Sequence, residues 1–181
     1  MGKSPKIDPQ TQARILIEAL PHMQRYDEEI VVVKYGGHAM GQEHTARDFA
    51  NDIVLLEQTA INPVVVHGGG LQMTRYLAER GIESQFVDGL RVTTPAILDA
   101  VIKVVAGSVN RQLVATLNRA GARAAGISGI DGSLVEAEQM DPALGSVGRV
   151  VRADPALLDA LLAGGFLLGI ATDLVVSYGG G

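Results

Sequence analysis

The sequence predicts an α/β fold, a three-layer αβα sandwich built on a largely parallel sheet. Short β-branched apolar runs alternate with longer stretches of helical periodicity, which is typical of strand–helix–strand units. Two of these runs, 30–35 and 63–66, lead directly into glycines. Glycine turns of this kind are common at the carboxyl ends of parallel strands, where α/β proteins bind their ligands.

Composition narrows the class of protein. The chain has 181 residues, 47% of them hydrophobic and 19% charged, which is enough apolar mass for one domain with a core. A formal net charge of −5 argues against a dedicated nucleic-acid-binding protein. The absence of cysteine excludes disulfides and thiol catalysis. No export signal or membrane-length apolar stretch is present, so we expect a cytoplasmic protein with no membrane partner.

A helix is predicted before the first strand. Asp8 and Pro9 suit an N-cap and first helical turn, and apolar residues then recur at helical spacing up to Met23. Pro21 should kink this helix because proline has no N–H to donate. We therefore interpret residues 1–26 as a kinked helical arm and residues 27–181 as the main domain.

The other elements follow from periodicity and turn residues. Strands are predicted at 30–35, 63–66, 122–127, 147–151 and 166–170, and a hairpin at 85–92 around Asp88-Gly89. Helices are predicted after a capping box at 45–48, at 71–80, in two stretches from Thr94 to Gly121, and from Asp154 to Gly164. The continuous apolar character of 30–35 indicates a strand covered on both faces.

Lys34 and two glycine loops are the candidate site. Lys34 precedes Gly36 and Gly37, and the sequence HGGG follows the second strand at 67–70. Glycine N–H groups, with the N-terminus of the next helix, can bind phosphate oxygens. One such loop is a weak indication, because tight turns need glycine anyway, but two on neighbouring strands are stronger. The apolar neighbours of Lys34 predict its burial, which would be costly for a lysine with no partner.

Four stretches together resemble the amino-acid kinase family, within it the branch that phosphorylates N-acetyl-L-glutamate. They are VVVKYGGHAM at 31–40, HGGG at 67–70, FVDGLRVT at 86–93 and AGSVN at 106–110. The resemblance implies an amino-acid kinase fold and transfer of a phosphoryl group from ATP, with Mg²⁺, to the side-chain carboxylate of N-acetyl-L-glutamate in arginine biosynthesis. It implies that Lys34 stabilises the transferred group and that Gly36 and Gly37 donate N–H groups to the nucleotide phosphates.

The resemblance assigns the acyl substrate to three further residues. Gly69 and Gly70 would hold it, and Arg91 would clamp its α-carboxylate, a role that suits the forked guanidinium. The nucleophile is already ionised at neutral pH, so the reaction needs no general base. No metal-ligating residue is predicted on the protein.

Other polar residues near these motifs have simpler interpretations. His67 is better explained as a hydrogen-bond partner of the glycine loop than as a base. His38 and His44 lack the spacing of a metal pair, and Asp131 suits a turn. Asn110 could contact the substrate loop or could serve on the helix surface or in packing, and the sequence leaves these alternatives open.

Beyond Gly165 the sequence departs from the family pattern. The second catalytic lysine, the aspartate that organises the two lysines and the adenine pocket have no counterparts in FLLGIATDLVVSYGGG. We therefore expect an acyl-substrate-binding lobe with the C-terminal nucleotide lobe missing. The resemblance implies that the chain is a kinase; the alternative is a non-catalytic fragment that binds the acyl amino acid or only oligomerises.

The N-terminal helix also has a counterpart in this family. Arginine-inhibited members carry a kinked helix before the first strand, which links dimers into hexameric rings. We accordingly expect a homo-oligomer, a dimer through the main domain with a hexamer formed through these helices. The alternative is a helix that packs on its own domain.

Overall fold

A computed structural model describes residues 7–36, 40 and 42–172 of the chain. The helices are Pro9–Gln24 (α1), Glu43–Gln58 (α2), Gly70–Glu79 (α3), Pro95–Val101 (α4), Asn110–Arg119 (α5) and Ala156–Ala163 (α6), with a π-helical segment, Ile102–Val109, between α4 and α5. The strands are Ile30–Tyr35 (β1), Asn62–His67 (β2), Phe86–Val87 (β3), Leu90–Arg91 (β4), Ala124–Ser128 (β5), Val135–Gln139 (β6), Gly148–Ala153 (β7) and Leu167–Ala171 (β8).

The central sheet has four strands in the order β1-β2-β8-β5, and every neighbouring pair is parallel. The two remaining pairs, β3-β4 and β6-β7, are antiparallel hairpins. Tyr35 lies opposite His67, and His67 lies opposite Ala171. The residues that follow β1, β2 and β8 therefore meet at the carboxyl end of the sheet, and this end carries both glycine loops.

Helices cover both faces of this sheet, which confirms the three-layer αβα sandwich. On one face α2 and α5 pack on the strands through a cluster of buried apolar side chains: Tyr35, Ala50, Ile53, Val65, Leu113, Leu117 and Leu167. On the other face, leucines of α6 pack against the buried residues Val64, Leu134, Leu168 and Ile170. In the part of the chain that the structure describes, no helix combines the length and the hydropathy needed to cross a membrane.

The first strand differs from its prediction. Exposed and half-buried residues alternate along β1, and Ile30 and Val32 are 55% and 64% exposed. Lys34 shares their face and is exposed as well. The expectation of a strand covered on both faces was wrong, because β1 lies at the edge of the sheet. Because Lys34 is exposed, its charge carries no cost of burial.

A side-chain cap explains where α1 begins, whereas α2 begins without one. The Asp8 carboxylate accepts a hydrogen bond from the Thr11 N–H at 3.0 Å, as predicted for the start of α1. The predicted capping box at 45–48 was wrong, because α2 begins at Glu43 with Gln42 at the N-cap. Thr45 consequently lies inside the first turn of α2.

α1 makes little use of its apolar side chains within the described structure. None of its residues is buried. Four of its large apolar residues are between 49% and 70% exposed, namely Ile15, Leu16, Ile17 and Leu20. A helix that packed on its own domain would cover this stripe, so that alternative receives no support.

Candidate active site

The first loop begins where Tyr35 anchors the end of β1. The Tyr35 ring stacks on Phe49 of α2, with ring centroids 4.1 Å apart and planes inclined by 13°. Its burial raises the pKa of the Tyr35 hydroxyl. Since successive strand residues point to opposite faces, Lys34 extends away from the α2 layer. Gly36 follows, and Gly37 lies outside the described residues.

The second loop connects β2 to α3. Gly69 occupies the N-cap position of α3, and its carbonyl accepts a hydrogen bond from the Met73 N–H at 2.8 Å. A Cβ at Gly69 would lie only 2.9 Å from Cγ2 of Val105, whereas a Cβ at Gly70 would meet nothing within 4 Å. Gly69 is therefore required by packing against the π-helical segment, and Gly70 leaves open space for a ligand.

The two loops border one cavity of about 530 Å³. Its lining consists of Lys34, Tyr35, Gly36, Met40, Gly68, Gly69, Gly70, Leu71, Gln72 and Thr172. Four of the predicted site residues are thus brought together. The first N–H groups of α3 have no intrahelical partner by helix geometry, and they begin at Gly70 beside this cavity. An amino group and helix N-terminal N–H groups around one cavity suit an anionic ligand.

Arg91 lies outside the lining of that cavity. It ends the hairpin β3-β4, whose turn residues Asp88 and Gly89 have φ values of 50° and 81°, as the Asp-Gly pair predicted. Its guanidinium donates to Ser84 Oγ at 2.5 Å and to Thr74 Oγ1 at 3.2 Å. The Thr74 hydroxyl in turn donates to the Gly70 carbonyl at 2.9 Å. Thr74 therefore links Arg91 to the second loop.

Six of the described lining residues were not predicted as site residues: Tyr35, Met40, Gly68, Leu71, Gln72 and Thr172. Both the backbone N–H and the hydroxyl of Thr172 donate to the His67 carbonyl, at 3.0 and 3.1 Å. Its only sequence signal is its position directly after a strand, which many residues share. Gln72 follows the HGGG motif by two residues and could have been found by extending the first turn of α3.

The remaining polar candidates are now located. Asn110 is 1% exposed, which excludes the helix-surface interpretation. Asp131 accepts hydrogen bonds from the N–H and hydroxyl of Ser128 at 2.7 and 2.9 Å, as a turn residue would. His44 is exposed, and His38 lies outside the described residues. Across 7–36, 40 and 42–172, no group of three or more His, Cys, Asp or Glu side chains could hold a metal ion.

Comparison with known proteins adds the family. The sequence profile of the amino acid kinase family matches residues 29–181. Acetylglutamate kinase from Afipia carboxidovorans is 53% identical over 187 aligned residues, covering 96% of this chain and 63% of the relative. Acetylglutamate kinase from Nitrobacter winogradskyi is 51% identical, covering 99% of this chain and 64% of the relative.

A solved structure gives the same result at the level of the fold. N-acetylglutamate synthase from Neisseria gonorrhoeae, complexed with coenzyme A and N-acetyl-glutamate, superposes with a TM-score of 0.77 at 25% identity, covering 97% of this chain and 40% of that one. The chain spans less than two thirds of the length of the two acetylglutamate kinases, 63% and 64%. With the family profile matching most of its length, the chain belongs to the amino acid kinase family.

Proposed function

We propose that this chain is the acyl-substrate lobe of an acetylglutamate kinase, which transfers a phosphoryl group from ATP to the side-chain carboxylate of N-acetyl-L-glutamate in arginine biosynthesis. The observation that carries the proposal is the cavity shared by Lys34 and the glycine loops. Identity of 53% and 51% to two acetylglutamate kinases supports this substrate. A cytoplasmic location remains a prediction.

The two glycine loops would hold the nucleotide phosphates and the acyl substrate, both anions, next to each other. Lys34 would neutralise charge on the transferring phosphoryl group, the main requirement of phosphoryl transfer. Gly36 and the neighbouring Gly37 would donate N–H groups to the nucleotide phosphates, while Gly69 and Gly70 would hold the acyl substrate. The open space at Gly36 and Gly70, where a Cβ would meet nothing within 4 Å, supports close approach of a ligand to both loops.

Arg91 would bind the α-carboxylate of the substrate. Its guanidinium lies over the Phe86 ring, 4.6 Å from the centroid, and bonds two neutral hydroxyls, those of Ser84 and Thr74. A carboxylate makes stronger, charge-assisted hydrogen bonds than a hydroxyl does, so a substrate can replace these partners favourably. The side chain is held near the second loop through Thr74 before the substrate arrives.

The described site offers groups that bind the phosphates of ATP, whereas it offers no protein ligand set for Mg²⁺. The N–H groups of the loops and the Lys34 amino group suit nucleotide phosphates. Mg²⁺ commonly binds to substrate phosphates and water with few protein ligands, so the metal would come with the nucleotide. When bound, Mg²⁺ would neutralise phosphate charge. The glycine loops would position the substrates, and Lys34 would supply positive charge from the protein.

A second candidate function is a non-catalytic fragment that binds the acyl amino acid or only assembles. One observation favours it. Among the described residues that line the cavity, Lys34 is the only cationic side chain, whereas phosphoryl transfer commonly uses several positive groups.

Two measurements on the purified chain separate these functions. Calorimetry with N-acetyl-L-glutamate tests substrate binding, and a coupled assay of ADP release tests turnover. Substrate binding together with turnover supports the kinase, provided that Lys34→Ala abolishes the turnover, whether or not it also abolishes binding. Binding without turnover supports the fragment. N-acetyl-L-aminoadipate serves as a comparison ligand in the calorimetry. If the chain binds no N-acetyl-L-glutamate, the proposed substrate is contradicted.

We also propose a homo-oligomer, with a dimer through the main domain and α1 joining dimers into a hexamer. The exposed apolar stripe of α1 supports this, because contiguous exposed apolar surface usually marks an interface. Deleting residues 1–25 should lower the molar mass in light scattering and leave the circular dichroism of the domain intact. A full-length chain that stays monomeric at high concentration would contradict the proposal.

A further inference from the structure

A buried polar pair lies beneath the second glycine loop. His67, the last residue of β2, and Asn110, the first residue of α5, are each 1% exposed. The Asn110 Nδ2 and the His67 Nε2 are 2.9 Å apart. A polar pair this deep is costly unless its hydrogen bonds are well made, so their directions can be worked out.

The surroundings fix the orientation of the Asn110 amide. Its nitrogen lies 2.9 Å from the Gly169 carbonyl and 3.4 Å from the Ile127 carbonyl. Carbonyl oxygens only accept, so the amide group facing them must be the NH₂ and not the oxygen. The same NH₂ therefore donates to His67 Nε2.

The Asn110 orientation in turn fixes the His67 ring. An Nε2 that accepts a hydrogen bond carries no proton, so the proton of the neutral imidazole lies on Nδ1. Nδ1 is 3.0 Å from the carbonyl of Gly68, to which it donates. A chain of two hydrogen bonds thus runs from α5 through His67 to the first residue of the glycine loop.

The Asn110 oxygen shows that this arrangement carries a cost. Among the described residues, Asn110 Oδ1 is the buried side-chain atom that has no hydrogen-bond partner. A leucine at this position would avoid that cost, because it has no polar atom to satisfy. Such a buried polar residue is better explained by what its nitrogen holds than by packing.

We infer that Asn110 and His67 are positioning residues that hold the Gly68–Gly70 loop in its substrate-binding conformation. The π-helical segment contributes from the same side, because Val105 packs under Gly69 and the segment ends directly before Asn110. π-helical turns are frequent at functional sites. The inference rests on the proposed function, in which Gly69 and Gly70 hold the acyl substrate.

The test compares two asparagines of the same helix. Asn110→Ala removes the buried NH₂, whereas Asn118→Ala removes hydrogen bonds to the backbone of Ala124, at the opposite end of the sheet from the loop. His67→Phe is a second variant that keeps a ring of similar size and removes both nitrogens. Three readouts are taken: the His67 tautomer by ¹⁵N NMR, amide exchange of Gly69 and Gly70, and N-acetyl-L-glutamate affinity by calorimetry.

We expect a single Nδ1–H tautomer of His67 in the wild type and in Asn118→Ala. Asn110→Ala should lose that tautomer, and amide exchange of the loop should accelerate by about tenfold. Substrate affinity should fall by roughly tenfold in Asn110→Ala and His67→Phe, about the effect of one hydrogen bond, and stay within about twofold in Asn118→Ala.

Two results would contradict the role of Asn110 and His67. An unchanged tautomer and unchanged loop exchange in Asn110→Ala would overturn the inference, as would full affinity in a folded Asn110→Ala. If the wild type binds no N-acetyl-L-glutamate, the proposed function fails. The tautomer and exchange data would in that case still decide whether Asn110 and His67 hold the loop.

Discussion

Gly126 of β5 lies where the Asn110 side chain meets the sheet, and replacing it by alanine tests that contact directly. A Cβ at this position would lie 2.0 Å from Asn110 Oδ1 and 2.7 Å from Cγ2 of Val114. Both distances are far below van der Waals contact. The Asn110 amide would therefore have to retreat by more than about 1 Å, because a carbon and an oxygen rarely approach below about 3 Å.

The expected cost has two parts. Overpacking a filled core typically costs about 1–3 kcal/mol. A retreating amide would also lose its bonds to the Gly169 carbonyl and to His67 Nε2, both 2.9 Å long. At about 0.5–1.5 kcal/mol for each hydrogen bond, Gly126→Ala should lower the free energy of unfolding by about 2–6 kcal/mol.

Urea denaturation followed by circular dichroism measures this change. Gly107→Ala is a matched control, because a Cβ there would meet only the Ile102 carbonyl at 3.6 Å, an ordinary contact. Alanine favours helix over glycine by about 0.5–1 kcal/mol, so this control should be neutral or stabilising. A Gly126→Ala midpoint equal to the wild type would refute the packing described for Asn110.

Three further predictions concern Gly69, Arg91 and the half-buried carboxylate of Glu57. Gly69→Ala should weaken N-acetyl-L-glutamate binding, and adding Val105→Ala should restore part of the affinity because it removes the 2.9 Å contact; calorimetry showing no coupling would contradict this. Arg91→Lys should cost about 1–3 kcal/mol of substrate binding with little change in unfolding, and an unchanged affinity would remove Arg91 from the site. Partial burial raises the pKa of the Glu57 carboxyl above its ordinary value, so the stability that depends on its protonated form is lost as pH rises through the folded pKa. Glu57→Gln should therefore raise the urea midpoint at pH 7 and have little effect below the unfolded pKa, and equal midpoints at pH 7 would contradict the assignment.

Much of the fold could be predicted because local signals agreed with tertiary structure. The Asp-Gly turn and the Asp8 cap each have a strong backbone preference that operates within a few residues. β6 was missed because VEAEQ is polar and half of it faces solvent, so it lacks the apolar run that marked β1. Its pairing with β7 is stabilised by Arg152 and Glu136, a contact that only the tertiary structure brings together.

The glycines of the candidate site could be predicted from the sequence, whereas the residues that pack against its loops could not. Lys34 lies near the end of β1, and Gly36, Gly69 and Gly70 follow strand ends. Parallel strands necessarily bring such residues to one end of the sheet. The contact of Val105 with Gly69 depends on the π-helical segment, whose eight residues are too few for hydrophobic periodicity to distinguish π from α spacing. Apolar runs cannot distinguish a covered strand from an edge strand either, which explains the error over Lys34.

The late position of β8 in the chain bears on how the protein folds during synthesis. β8 is the only described strand that pairs with both β2 and β5. Until residues 167–171 leave the ribosome, β1-β2 and β5 share no backbone hydrogen bond, and the edge of β2 is open. Non-local parallel pairing of this kind slows folding, and unpaired edges favour aggregation in the interval. Nascent chains halted shortly before residue 167 should therefore depend on chaperones far more than chains released after residue 171.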